Sequence, residues 1–190
     1  MNTKEKILNA AATLFYNDGI AATGIDRIIA VAGVAKMSLY NNFGSKSELV
    51  AAYIEARHQE WLSLYEKRLE RAKDPRAKLL AIFLAYQDHA EFDYDNGFRG
   101  CGLLNAAAEM PAGSPSRLAV KQHKDHIHKL VKKNVSALLI LPEDHEEVCG
   151  MSDELAFLLE GAISLAGLEA SSDKMRRAYC IAERIVGKNN

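Results

Sequence analysis

The sequence lacks the features that mark secreted, membrane-spanning and disulfide-stabilised proteins. It has only three cysteines, Cys101, Cys149 and Cys180, which are odd in number, far apart and without a C-x-x-C pair. This pattern argues against a disulfide framework and indicates ordinary thiols in a reducing compartment. No segment approaches the roughly 18 uninterrupted apolar residues of a membrane span, and the N-terminus has no continuous apolar stretch with a small-residue cleavage site. We therefore expect a cytoplasmic protein with no membrane partner.

Signatures of catalysis and of cofactor binding are also missing. The sequence shows no nucleophile with a paired base, no glycine-rich phosphate loop and no metal-ligand set. His123 and His126 share a helix face with His128 elsewhere, but zinc sites on helices favour a four-residue spacing with further ligands, so a solvated polar face is favoured. We expect no enzyme, no cofactor and no metal. An all-α enzyme using Glu109, Glu160 or the histidines is the enzymatic alternative.

The sequence also lacks the overall basic charge that would indicate a nucleic-acid-binding protein. The formal net charge is −1, and residues 1–50 hold five basic and four acidic side chains. Any nucleic-acid site therefore has to be local and has to be identified from its pattern. The hydrophobic content of 48% allows a sizeable core and one large or two small domains.

The sequence does contain a two-helix pattern over residues 23–43, TGIDRIIAVAGVAKMSLYNNF. Thr23 is predicted to cap the first helix, with Asp26 three residues later, and Gly33 supplies the left-handed residue at its end. In the second helix, Leu39 and Phe43 share an apolar side. The other faces carry long or polar side chains: Lys36, Met37, Ser38, Tyr40 and Asn41. This division predicts a helix-turn-helix whose second helix enters the DNA major groove.

The stretch AGVAKMSLYNNFGSKSEL resembles the DNA-binding motif of the tetracycline-repressor (TetR) family. The resemblance covers about the first quarter of the chain. Four positions match the motif: Tyr40, Phe43, Lys46 and Leu49. Two depart from it, because Ala35 stands where a capping Ser or Thr is usual and Met37 where a small residue is common. The resemblance implies a homodimeric repressor of a palindromic DNA operator, released by a small-molecule effector.

Individual DNA contacts follow partly from the resemblance and partly from side-chain chemistry. The resemblance implies phosphate contacts from Tyr40, Lys46 and Thr23. Hydrogen-bonding capacity suggests guanine for Lys36 and adenine for Asn41, and Met37 can touch a thymine methyl group. The complete predicted DNA-binding set is Thr23, Lys36, Met37, Ser38, Tyr40, Asn41 and Lys46.

Capping signals divide the rest of the chain into helices, with no strand alternation. The predicted helices outside the helix-turn-helix span residues 3–17, 46–73, 75–92, 101–110, 114–141, 152–168 and 172–186, with a turn-rich segment at 93–100. We predict an all-α fold, with an N-terminal three-helix helix-turn-helix unit and a C-terminal helical bundle for ligand binding and dimerisation. The predicted domains are 1–45 for DNA binding and 46–190 for effector binding and dimerisation.

The helix over 152–168 is apolar nearly all round, more than one subunit needs to bury. We expect its surplus face to pair with the last helix and with the same two helices of a second subunit. Gly161 and Gly167 would allow close approach. The residues of the first helix are Leu155, Phe157, Leu158, Leu159, Ala162, Ile163, Leu165, Ala166 and Leu168. Those of the last helix are Met175, Tyr179, Ile181, Ala182 and Ile185.

An effector cavity is predicted from aromatic and apolar residues spread over several helices, with a few polar groups for orientation. Its candidates are Trp61, Tyr65, Phe83, Tyr86, Phe98, Leu104, Asn105 and Phe157. Since this set holds no obvious ionised pair, we expect a neutral or weakly polar, partly aromatic ligand. Asn105, Glu109 and Glu160 can serve either a ligand or contacts between helices or subunits. A constitutive or activating regulator without an effector is the alternative to a repressor.

Overall fold

The computed structural model describes residues 1–92 and 95–187 of the chain. Over these residues the fold is all-α, as predicted, with nine helices and no strand. The helices are α1 (Thr3–Asp18), α2 (Ile25–Ala32), α3 (Lys36–Asn42), α4 (Lys46–Leu69), α5 (Pro75–Ala90), α6 (Gly102–Ala108), α7 (Pro115–Leu139), α8 (Glu146–Glu169) and α9 (Asp173–Gly187). No helix among the described residues combines the length and the apolar character of a membrane span. Residues 93 and 94 of the predicted turn lie outside the described residues.

The chain forms two compact units that alternate along the sequence. Unit 1 consists of Met1–Gln59 and Gly102–Lys121, and unit 2 of Glu60–Cys101 and Gln122–Asn190. Helices α4 and α7 therefore contribute residues to both units. The functional boundary predicted between residues 45 and 46 stays a prediction.

Unit 1 is built around α1, which packs against α2, α3 and α6. A capping box at Asn2 starts α1, because the Asn2 side chain accepts a hydrogen bond from the Glu5 backbone N–H and the Glu5 side chain accepts one from that of Asn2. Ile7 and Phe15 lie on its buried side. This helix is the platform on which the two helices of the predicted DNA-binding motif rest.

Two of the predicted helix starts are confirmed by their hydrogen bonds. At α4, the Ser45 hydroxyl accepts from the Glu48 N–H at 3.1 Å, while the Glu48 carboxylate accepts from the Gly44 N–H at 2.9 Å. At α5, the Asp74 carboxylate accepts from the Ala77 N–H at 2.7 Å, and Pro75 is the first helical residue.

The predicted start of the helix at Ser152 is wrong, because α8 begins six residues earlier at Glu146. The His145 side chain caps it by accepting from the Glu147 N–H at 3.3 Å. The hydroxyl of Ser152 is buried and donates back to the Val148 carbonyl at 2.6 Å, as serines inside helices do. Glu146 and Glu147 therefore lie in the first turn of α8, where carboxylates interact favourably with the helix dipole.

Unit 2 has a continuous apolar core to which α5 contributes most of its length, and α5, α8 and α9 pack against one another. The predicted pairing of α8 with the last helix is thereby confirmed. Gly167 of α8 lies directly against the backbone of Gly100, so this glycine serves a contact within the chain and not the predicted approach of a second subunit. Gly161 faces open space.

Candidate nucleic-acid interface and effector site

The turn between α2 and α3 has the geometry that the sequence predicts. Gly33 adopts φ 64° and ψ 40°, the left-handed conformation that ends a helix. The Val34 N–H donates to the Ile29 carbonyl at 3.1 Å, which closes the end of α2. On α3, Leu39 is fully buried and Phe43, directly after it, is also buried. These two side chains fix the orientation of a helix only seven residues long.

The opposite side of α3 faces solvent with the side chains predicted to read DNA. Met37 is 70% exposed, Tyr40 is 43% exposed, and Lys36 and Asn41 are exposed. Ser38 is half-buried. The structure thus brings these five predicted residues onto one short helix, and their contacts with DNA stay predictions.

Thr23 does not cap α2, so that prediction is wrong. Gly24 occupies the cap position without a side-chain hydrogen bond, and Thr23 is fully buried. Its hydroxyl donates to the Gly19 carbonyl at 2.6 Å, because the loop after α1 turns back on itself there. As a phosphate contact Thr23 stays a prediction, although its hydroxyl already has a partner in this conformation.

Lys36 and Asp26 form an ion pair between the two helices of the motif. The ammonium nitrogen lies 2.9 Å from a carboxylate oxygen, and both side chains are exposed. The hydrogen bond to Asp26 raises the pKa of Lys36 above its ordinary value. To contact a base, Lys36 would therefore have to leave Asp26 or bind both groups at once. If Lys36 left, the unpaired Asp26 carboxylate would repel nearby phosphates.

A clamp on the loop between α1 and α2 is the feature that sequence reasoning missed. The Glu109 carboxylate, just after α6, accepts from the backbone N–H of Ile20 at 3.0 Å and of Ala21 at 2.7 Å. From the other side, the Lys46 ammonium donates to the Ile20 carbonyl at 2.6 Å. We call Lys46, Glu109 and their bonds to this loop the loop clamp. Nothing local in the sequence signals a partner so far along the chain.

Comparison with known proteins agrees with this geometry. Residues 7–53 match the sequence profile of "Bacterial regulatory proteins, tetR family". The chain is 30% identical over 187 residues to an uncharacterized HTH-type transcriptional regulator of Lactococcus lactis subsp. lactis, and the match covers 94% of this chain and 93% of the relative. This chain belongs to the TetR family. It is a DNA-binding transcriptional regulator and not an enzyme.

Other relatives of this TetR-family chain have opposite regulatory roles in their names. The HTH-type transcriptional activator FasR of Mycolicibacterium smegmatis is 29% identical over 129 residues, covering 68% of this chain and 58% of that protein. The HTH-type transcriptional repressor KstR2 of the same organism is 34% identical over 83 residues, covering 43% and 40%. A TetR-family regulator from Streptomyces coelicolor has the same fold, with a TM-score of 0.87 at 23% identity over 99% of this chain and 96% of that chain.

In unit 2 of the TetR-family chain, Trp61 is the centre of a buried group of rings. It stacks on Tyr65 at a centroid distance of 5.5 Å, and Tyr86 and His123 meet it edge-on at 5.7 and 5.9 Å. We call these four residues the Trp61 cluster. His123 is buried here and is not part of the solvated face that the sequence suggested. The Trp61 indole N–H is buried and has no acceptor among the described residues.

A half-buried ion pair borders the Trp61 cluster, although the predicted effector set itself contains no ionised pair. The Lys124 ammonium lies 2.8 Å from both Glu160 carboxylate oxygens and 3.2 Å from the Tyr86 hydroxyl. Burial raises the pKa of Tyr86, which therefore stays protonated. Burial alone would lower the pKa of Lys124, but Cys101, Tyr86 and Glu160 together raise it. Lys124 therefore stays charged at neutral pH.

The other predicted effector residues are distributed more widely. Phe83 and Phe98 are buried in the core of unit 2 with the aromatic members of the Trp61 cluster. Leu104 and Asn105 belong to unit 1. Phe157 is 75% exposed and lies outside this core. The predicted eight-residue pocket stays a prediction, and only its aromatic residues from α4 and α5, together with Phe98, share one core.

An apolar groove of about 400 Å³ lies on the surface of α8 and α9. Phe157, Leu165 and Gly161 of α8 are exposed along it, and Ile181 of α9 is half-buried there. Other members of the predicted dimer set are buried inside unit 2 instead: Leu155, Leu159, Ile163, Ala166, Met175 and Ala182. Only part of the apolar surface of α8 is therefore left uncovered by the chain's own core. Lys174 and Arg177 also line the groove.

Proposed function

We propose that this TetR-family regulator is a homodimeric repressor that binds a palindromic operator and is released by a small-molecule effector. The observation that carries the DNA-binding part is the exposed row of Met37, Tyr40 and Asn41 on a helix fixed by buried Leu39 and Phe43. Base readout in the major groove needs this combination of an exposed polar face and a rigid support. The cytoplasm is the predicted location because the DNA is there.

Replacing Lys46 by Ala tests the phosphate contact. A variant that neutralises one phosphate fewer also releases fewer counterions, so the slope of log K against log salt should fall by about one unit per subunit. Specific and non-specific duplexes should weaken about equally. Fluorescence anisotropy over a salt series measures this. Lys67→Ala, at the other end of α4, is the control and should leave the slope unchanged. An unchanged slope for Lys46→Ala would remove this residue from the phosphate contacts.

Homodimer formation is supported by the groove on α8 and α9. Large exposed apolar patches on a folded chain mark interaction surfaces, and two helices from each subunit can form an isologous interface around a two-fold axis. The groove is lined mainly by apolar side chains, with Lys174 and Arg177 beside them, and an interface likewise combines an apolar core with polar residues. Two reading helices then face half-sites about one DNA turn, or a multiple of it, apart.

Replacing Leu165 by Lys places a charge in the centre of this proposed interface and should weaken dimerisation at least about tenfold. Leu118→Lys is a matched control, because Leu118 and Leu165 are both 48% exposed and only Leu165 lies in the groove. Sedimentation velocity at micromolar concentration measures the dimer fraction. A monomeric wild-type protein would contradict the proposal, as would equal dissociation constants for the two variants.

Effector binding is supported by the Trp61 cluster. Buried polar groups in proteins nearly always have a hydrogen-bond partner, and a buried donor left without one costs about 1–3 kcal/mol. The Trp61 N–H, which no described residue satisfies, lies in the cluster that borders the ion pair of Lys124 and Glu160. A partly aromatic ligand that carries a hydrogen-bond acceptor fits this environment. This proposal keeps the neutral or weakly polar, partly aromatic ligand expected from sequence and adds the acceptor.

A thermal-shift screen of aromatic compounds with acceptor groups tests the effector proposal. Ligands that stabilise the wild type should bind at least about tenfold more weakly to Trp61→Phe, which retains a ring and loses the donor. The same ligands should lower operator affinity by about 5–150-fold. If stabilising ligands leave DNA affinity unchanged, the control of DNA binding by effector is contradicted. If Trp61→Phe binds them equally well, they bind elsewhere.

Activation is the second candidate, because one relative is named an activator. Both roles use the same DNA-binding surface. Whether binding lowers or raises transcription therefore depends on where the operator lies relative to the promoter. In vitro transcription from the chain's own operator distinguishes them. A repressor lowers transcript yield when added, and an activator raises it.

A further inference from the structure

A second pocket in unit 2 lies between the end of α4, the start of α5 and α9, and it shares no residue with the Trp61 cluster. Its volume is about 360 Å³, at the lower end of the range for small-molecule sites. Leu80, Leu84 and the ring of Tyr179 contribute an apolar floor, and three arginines line the same pocket. The pocket thus combines an apolar floor with several guanidinium groups.

One of the three arginines is already neutralised. Arg68 forms two hydrogen bonds with the Asp88 carboxylate, one of them 2.7 Å from Nε to Oδ2. The carboxylate of Asp74 also lines the pocket, but it accepts from the Ala77 N–H and caps α5. Accepting that bond leaves the negative charge of Asp74 in place, so Asp74 offsets one of the two positive charges of Arg71 and Arg76.

Arg71 and Arg76 differ from Arg68 in having no carboxylate partner within residues 1–92 and 95–187. The Nε of Arg76 is buried and has no hydrogen-bond partner among the described residues. Arg71 is exposed at the pocket, and within the described part of the chain no carboxylate pairs with it. Arg76 is the second residue of α5, where the helix dipole adds further positive potential. Two guanidinium groups beside one apolar floor, with the Asp74 carboxylate in the same lining, thus leave the pocket with about one net positive charge.

We propose that this pocket binds a small phosphate monoester whose ester group is apolar. The planar guanidinium fork matches phosphate oxygens in bidentate geometry, so two of them suit a dianionic head group. The floor formed by Leu80, Leu84 and Tyr179 covers the apolar group. This site is independent of the effector site at the Trp61 cluster, and it gives the regulator a second class of ligand.

Calorimetric titration of the full chain with phenyl phosphate tests the proposal. Arg71→Gln and Arg76→Gln should each weaken binding at least about tenfold, which corresponds to about 1.4 kcal/mol. Arg184→Gln is the matched control, because Arg184 is an exposed arginine of α9 that does not line the pocket. It should change affinity less than about twofold at constant ionic strength. Inorganic phosphate and benzyl alcohol each test one half of the ligand, and both should bind at least about tenfold more weakly than phenyl phosphate.

Several results would overturn the proposal. It is overturned if phenyl phosphate shows no saturable binding at millimolar concentration, or if all three arginine substitutions weaken binding equally. It is also overturned if benzyl alcohol binds as tightly as phenyl phosphate. Equal binding of inorganic phosphate would overturn the role of the apolar floor. Because Arg71 is exposed, Arg71→Gln should fold normally and keeps the test decisive even if Arg76→Gln is unstable. The readout is direct binding, so it does not depend on operator binding or on the Trp61 cluster.

Discussion

Replacing Gly167 by Ala should destabilise the protein by about 2 kcal/mol, although the same change inside a helix normally stabilises by about 1 kcal/mol. A Cβ at this position would lie 2.6 Å from the Gly100 backbone nitrogen and 3.0 Å from the Arg99 carbonyl carbon. No rotamer change relieves a clash with backbone, and overpacking of this kind costs about 1–3 kcal/mol or more. The free energy of unfolding in urea measures the effect.

Gly150→Ala is the matched control, because Gly150 lies in the same helix and a Cβ there would meet nothing within 4 Å. It should be neutral or stabilising by up to about 1 kcal/mol. Both variants need the same protein concentration, since dimerisation shifts apparent stability. If Gly167→Ala is as stable as Gly150→Ala, the close approach of the two backbones is not rigid.

Replacing Lys124 by Met should destabilise the protein by about 2–3 kcal/mol. Removing one partner of a buried ion pair leaves the other charge uncompensated, which typically costs about 3–5 kcal/mol. The expected value is lower here because the Lys124 side chain is 17% exposed and that of Glu160 35%. The Tyr86 hydroxyl would still donate to Glu160 but cannot balance its charge. Urea unfolding at pH 7 measures the decrease in stability.

Two further variants decide whether removal of the charge causes this effect. Lys129→Met changes an exposed lysine of the same helix and should alter stability by less than about 0.5 kcal/mol. The double variant Lys124→Met with Glu160→Leu removes both charges and should recover most of the stability, as replacements of whole buried pairs often do. A Lys124→Met protein as stable as Lys129→Met would show that the pair contributes nothing.

The sequence predicted those parts of the fold that depend on local signals. The helix-turn-helix followed from the left-handed position of Gly33 and from the spacing of Leu39 and Phe43, and the starts of α4 and α5 from their caps. Local reasoning failed where two signals competed. Ser152 looked like a cap, yet its hydroxyl bonds within α8, while His145, a less common cap, starts the helix.

Contacts between distant parts of the chain could not be predicted in this way. The ion pair joins residues 36 positions apart, Lys124 and Glu160, and neither residue carries a pattern that identifies its partner. The same holds for Gly100 and Gly167, which meet only after α8 has packed. Periodicity identified α8 as excessively apolar, but only packing separates Leu159, which is buried, from Phe157, which is exposed.

The loop clamp determines which pieces of the chain have to be exchanged together in a chimera. A fragment ending at Gln59 contains every residue of the family match but not Glu109, so the N–H groups of Ile20 and Ala21 would lose their carboxylate. It would also lack Gly102, where an added Cβ would lie 3.0 Å from the ring of Tyr16 and 3.0 Å from the hydroxyl of Tyr53. A chimera that takes its operator specificity from a relative should therefore take both segments of unit 1 from that relative, Met1–Gln59 and Gly102–Lys121. The unit that carries the helix-turn-helix is encoded by two separate stretches of the gene.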